Sequence, residues 1–385
     1  MSILEKHKVE YGENPQVLVT VPGVVTLVGE FSDYGQGYAL CGTCSKTLSI
    51  AVSKRQDSLI RVLNTLSNDR KKFSLGSMKF RKEDRWGNYI KGVLVELQKT
   101  KAVPGLNLTL SGDLLYGDGK ILSAAVGVGL CMALGKISGY EFSDKEIATC
   151  CYYSATNFCK ELTNCHLVHT ILKAVEGKYM FFDMLNKDFK YVDDPFKASK
   201  YAILLADGHI PPAAMREELY ARHSQTKEAM LEISRIADRG CLRGFPVSVI
   251  SDRIMPLSEE TRKIGCYVFE ESQIAKAMAD YFEAKDFVQI GRALTKVGKG
   301  LRDRMEITCP ELDWVAKRAS EVPGCLGNSI VYSGCGGFIA VEIERQSVPT
   351  YASKVGDYEK IFGFKLSLDD YSPAGPPTVV VNPIE

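Results

Sequence analysis

Residues 21–37 read VPGVVTLVGEFSDYGQG. Val24, Val25, Leu27 and Val28 form an apolar run of strand length. Gly29 ends the run, and two carboxylates, Glu30 and Asp33, follow three residues apart. A solvated acidic turn would explain these residues taken alone. What lies around them decides whether the pair is a site.

The chain has 385 residues, enough for a well-buried core and for two domains. A hydrophobic fraction of 45% with mixed charge describes a globular, ordered protein. The net charge of +1 points to no polyanion, so neither nucleic acid nor a membrane surface is expected as a partner. No uninterrupted apolar run approaches the roughly 20 residues of a transmembrane helix. MSILEKHKVEYGENP lacks the apolar stretch of a signal peptide, and NPIE carries no lipidation or peroxisomal signal, so a cytoplasmic location is expected.

Twelve cysteines are many, and in that compartment they are expected as reduced thiols. Cys41 and Cys44 have CxxC spacing, yet no second CxxC or histidine pair completes a metal site, so no metal is assigned. They read as small apolar core residues, as do Cys150 and Cys151.

The first half opens strand-rich, in QVLVTVP, VVTLVG, TLSIAVS and SLIRVLN. WGNYIKGVLVELQKT places Trp86, Ile90, Val93 and Leu97 on one helical face. LNLTLSGDL is a strand; a glycine turn and the apolar helix ILSAAVGVGLCMALGKISG follow. Ser143 and Glu146 form a capping box for the next helix. GKYMFFDM and YAILLADG are strands, and four amphipathic helices follow, the last with Pro310 at its start. SIVYSGCGGFIAVEIE reads strand, glycine turn, strand. A polar, proline-containing stretch near 185–200 sets the expected domains at 1–195 and 196–385.

The skeleton Pro22-Gly23, Gly29-Glu30, Asp33-Tyr34 resembles the signature of galactokinases, of the GHMP small-molecule kinase superfamily. RWGNYIKGV (85–93), LRD (301–303), CPELD (309–313), DDYSPAGP (369–376) and the run from Lys263 to Glu342 extend the resemblance over essentially the whole chain. It implies an α+β, two-domain GHMP-kinase-like fold with the active site in a cleft between the domains. It also implies that Glu30 and Asp33 bind sugar hydroxyls, a task suited to paired acceptors. Tyr220 is a possible third sugar contact.

Two glycine loops complete the pattern. In the family, a glycine turn followed by serines starts a helix that holds phosphates and magnesium. Here that loop offers Gly117, Gly119, Lys120 and Ser123 for the nucleotide, but Ile121 and Leu122 stand at the first two serine positions and Asp118 adds a negative charge. A helix-capping turn would explain the same glycines. The second loop keeps Gly334, Gly336 and Gly337, which a plain hairpin would also explain.

The resemblance places a catalytic arginine at Val24 and a catalytic aspartate at Leu167, with Asn164 at a sugar-contacting glycine and Phe31 at a sugar-contacting histidine. A lone loss would suggest a shifted register. Loss of both partners of an ion pair is the pattern expected once catalysis is not required, because a buried unpaired charge is costly. His166 and His169 flank Leu167 as substitute bases, or as surface or helix-face histidines. The expectation is a galactokinase-like protein impaired in or lacking catalysis, with sugar or nucleotide binding used for sensing or for a protein partner. The alternative is an active, atypical kinase with Mg-ATP as its cofactor.

Overall fold

A computed structural model of the chain describes residues 1–116, 119–161, 163–211, 213–331 and 337–384. The strands are β1 (Val17–Val28), β2 (Tyr38–Lys54), β3 (Leu59–Asn64), β4 (Asp69–Ser74), β5 (Leu106–Ser111), β6 (Lys178–Asp183), β7 (Asp188–Asp193), β8 (Tyr201–Asp207), β9 (Cys325–Val331), β10 (Phe338–Glu344), β11 (Ser367–Tyr371) and β12 (Thr378–Val381). The α-helices are α1 (Ile3–Tyr11), α2 (Ser32–Gly35), α3 (Gly87–Gln98), α4 (Lys120–Ser138), α5 (Asp144–Tyr153), α6 (Cys165–Leu172), α7 (Ala213–Ile236), α8 (Arg239–Leu242), α9 (Val247–Arg253), α10 (Glu259–Ala284), α11 (Phe287–Asp303), α12 (Pro310–Ser320), α13 (Val348–Lys354) and α14 (Tyr358–Phe362). The mixture is the expected α+β class.

The chain packs as two compact units that exchange segments. One comprises Met1–Val24, Thr43–Ala174 and Gly375–Glu385, the other Val25–Gly42 and Val175–Ala374. A single cut at 195/196 is a simpler division than this one. It leaves the 25–42 segment, with its two carboxylates, in the first half, whereas packing assigns that segment to the second unit.

In the first unit the sheet order is β12-β1-β2-β5-β3-β4. β3 and β5 run parallel, whereas β2–β5 and β3–β4 are antiparallel. The two apolar runs around Pro22-Gly23 form one strand, β1. Its burial alternates at first and is then complete on both faces, as for a strand that passes from a half-covered to a covered position. α4 is long and apolar enough, by length and composition, to cross a membrane, although Lys120 and Lys136 interrupt its apolar run. Most of it is buried within the protein, as expected of a core helix. Capping boxes start α1 (Ser2 and Glu5) and α5 (Ser143 and Glu146), and both reciprocal bonds are made in each.

Cys41 and Cys44 both lie on β2 and are buried. Three residues apart on a strand, they point to opposite faces, so they do not chelate one ion together. All the cysteines among the described residues are free thiols.

The second unit holds an antiparallel sheet in the order β11-β8-β10-β9, with α11 and α12 packed against β9. β6 pairs with the first residues of β2 and with β7. β9 and β10 are the expected strand pair, Val331 opposite Phe338.

Candidate functional site

Glu30 and Asp33 sit on the segment that leaves β1 and returns as β2. Gly29 makes the turn at φ 105°, where a Cβ would come within 2.6 Å of the Tyr38 carbonyl oxygen and Ala39 Cα. The segment is pinned at several points, all inside the second unit. Glu271 on α10 accepts the backbone N–H groups of Gly29 and Glu30 through Oε1 and of Phe31 through Oε2, each at 3.2 Å. Ser272 Oγ accepts the Tyr38 N–H at 3.1 Å. Arg239 donates to the Tyr34 carbonyl and Arg243 to the Gln36 carbonyl, both at 3.0 Å. Arg243 also forms a forked pair with Asp183 at 2.6 and 3.1 Å and lies over the Tyr38 ring.

Glu30 is buried, Asp33 half-buried. His223, on α7, is buried beside Glu30, with Nε2 3.5 Å from Glu30 Oε1. Its Nδ1 lies 3.0 Å from the Tyr34 hydroxyl. Phe31, fully buried, stacks on the His223 ring at 4.6 Å. An imidazole therefore stands beside the motif although position 31 is Phe. Burial pushes the Tyr34 hydroxyl pKa up, and Asp33 and Glu30 push it further, so Tyr34 keeps its proton. Carboxylates, an imidazole and a phenol together can both accept from and donate to hydroxyl groups. Tyr220 is half-buried on α7, one turn before His223.

The phosphate-loop residues belong to the first unit. Gly117 of the nucleotide set lies outside the described residues, as does Asp118. Gly119 precedes α4 at φ 96° and, as a glycine, has no side chain of its own to cap the helix. The Gly119 N–H donates to the Tyr89 hydroxyl at 2.9 Å. Lys120 is buried, and its Nζ donates to Asn164 Oδ1 at 2.6 Å. It is therefore not the solvated side chain that a helix start suggests. Val24, Leu167 and Ile121 are at most 1% exposed and Leu122 is 4% exposed, so these positions serve as core. For Mg-ATP the fit is partial. A helix start suits a phosphate, and Ser123 keeps one hydroxyl, but Ile121 and Leu122 supply no magnesium ligand.

His166 is fully buried. His169 has its pKa lowered by burial, despite the opposing pull of Asp144, which itself pairs with Lys173. In the second glycine loop, Gly334 and Gly336 lie outside the described residues; Gly337 is buried just before β10. No group of three or more histidine, cysteine or acidic residues among the described residues is arranged to hold a metal ion.

His223 and Glu271 were not singled out by sequence reasoning. The signal was present in the helical repeat. His223 falls in the core-facing register of Leu219, Thr226, Met230 and Ile233, and Glu271 in that of Tyr267, Ala275, Met278 and Phe282. A charged or titratable residue on such a face needs a partner.

Known proteins bear on these observations. Residues 5–54 match the galactokinase galactose-binding signature. The galactokinase of Bacillus subtilis (strain 168) is 26% identical over 357 residues, 90% of each chain. The crystal structure of Lactococcus lactis galactokinase complexed with galactose shares the fold at a TM-score of 0.87 and 20% identity, over 98% of each chain. Methanococcus jannaschii mevalonate kinase shares it more distantly, at a TM-score of 0.59 and 16% identity, over 93% of this chain and 98% of its own. The chain is thus galactokinase-like in sequence over about nine-tenths of its length, and it shares the fold of galactokinase and, more distantly, of mevalonate kinase.

Proposed function

We propose that this protein recognises a galactose-type sugar through Glu30, Asp33 and His223, and that it transfers phosphate to that sugar far more slowly than an ordinary galactokinase. The observation that carries the first part is the pinned segment with its buried Glu30–His223 contact. The second part rests on buried aliphatic side chains at 24, 121, 122 and 167. Phosphoryl transfer depends on positioning and charge stabilisation. A fully buried valine or leucine supplies neither a cation for the moving phosphoryl group nor a carboxylate beside the sugar hydroxyl. Tyr220, at the same end of α7, is a further sugar contact in this reading. A role in sensing, a protein partner and a cytoplasmic location belong to the same proposal.

A second reading has its own support. Relatives named galactokinase align with about nine-tenths of this chain, which favours an active, atypical ATP-dependent kinase over an inactive one. In that reading the start of α4 and Ser123 hold Mg-ATP. A coupled assay with Mg-ATP and galactose separates the two. Turnover comparable to that of an ordinary sugar kinase establishes the second reading and removes the impaired-transfer part of the first. Saturable galactose binding without such turnover supports the first.

A further inference from the structure

We infer that Glu271 is a positioning residue of the sugar site, a carboxylate whose task is to fix the directions of Glu30 and Asp33 by holding the backbone between them. The inference rests on the sugar-binding reading of those two residues.

Three consecutive N–H groups, of Gly29, Glu30 and Phe31, converge on the one carboxylate. Consecutive N–H groups are aimed at one point only where the chain curls, and here Gly29 allows the curl. Without Glu271 these donors would be buried unsatisfied. Glu271 is 1% exposed and comes from α10, a helix of 26 residues whose buried face fixes its height and rotation. The next residue, Ser272, holds the far end of the same segment at Tyr38. One turn of α10 therefore sets both ends of the segment that carries Glu30 and Asp33.

The arrangement is not the cheapest way to satisfy three donors. A buried carboxylate facing a second carboxylate, Glu30, is disfavoured as an anion. Burial and Glu30 raise the Glu271 pKa to about 7 against the pull of the three N–H groups. Around it also stand His223 beside Glu30 and Tyr34 beside His223. A carboxylate so placed fixes the directions in which three adjacent N–H groups point, which is a positioning role.

Two measurements on the full chain test this. In Glu271→Gln, the amide NH2 replaces one acceptor oxygen, so amide hydrogen exchange at residues 29–31 is expected to quicken at least about tenfold, with α4 and β8 unchanged. Galactose affinity, by calorimetry at pH 8, is expected to fall at least about tenfold while the melting temperature stays within about 4 °C of wild type. Wild-type affinity is expected to fall as pH drops below 7, and the variant to lose this dependence. Unchanged exchange at 29–31, or unchanged affinity in a wild type that binds galactose, overturns the inference. Quickened exchange in Glu271→Gln, together with a wild type that binds no galactose, leaves Glu271 as the holder of the segment and overturns the sugar reading instead.

Discussion

Nε2 of His223 stands 3.5 Å from Oε1 of Glu30, with both side chains buried. The contact joins a residue of the sequence motif to one nearly two hundred positions later. It turns an acidic turn into an enclosed polar site.

Replacing His223 by Ala is expected to weaken galactose binding by about ten- to a hundredfold, the worth of a hydrogen bond to a charged group. Calorimetric titration measures this. Replacement by Phe, which keeps the stack on Phe31, should lose affinity with less loss of stability than Ala. Equal binding by the wild type and both variants would remove His223 from the site.

Introducing Val24→Arg with Leu167→Asp is expected to leave galactose phosphorylation no faster than in the wild type, because Ile121 and Leu122 still lack hydroxyls. Both positions are fully buried, so the double variant should also melt at a lower temperature. Turnover by the double variant well above that of the wild type in the coupled assay would show that the phosphate loop works as it stands.

Lys120→Met is expected to lower stability by about 1–3 kcal/mol, read from chemical denaturation, because it removes a charged donor from Asn164 in a buried setting. A loss of that size supports a structural use of Lys120. Unchanged stability with loss of a Mg-ATP-induced thermal shift would instead assign Lys120 to the nucleotide.

Acid should destabilise the first unit through His7. Its ring nitrogens lie 2.9 Å from the Thr109 hydroxyl and 3.0 Å from the Ser53 hydroxyl, and burial lowers its pKa to about 4. The folded state therefore binds fewer protons than the unfolded state between about pH 4 and 6.5. The stability from neutral His7 is full above 6.5 and is lost as pH falls towards 4. Denaturation midpoints for wild type and His7→Gln should converge across that window, and parallel curves would contradict the assignment.

Much of the fold was legible because it is written locally. Ser143 and Glu146 announced a helix start, Pro310 another, and apolar runs of strand length announced β1, β3 and β8. The interleaving of the two units was not legible, since it depends on which unit the 25–42 segment packs with. Glu30 and Asp33 stood out through the galactokinase-like motif around them, since their spacing alone also fits an acidic turn. His223 and Glu271 did not, because their roles depend on how α7 and α10 pack against that segment. Lys120 stands in the sequence as a nucleotide-binding candidate, and only its burial and its distance to Asn164 show that it is held inside the unit.

Galactose titrated into wild type, Glu30→Gln and Asp33→Asn, followed by calorimetry, tests the sugar site most directly. The account predicts saturable binding to the wild type and at least about tenfold weaker binding to each variant. No saturable binding to the wild type, or equal binding by all three, would contradict it.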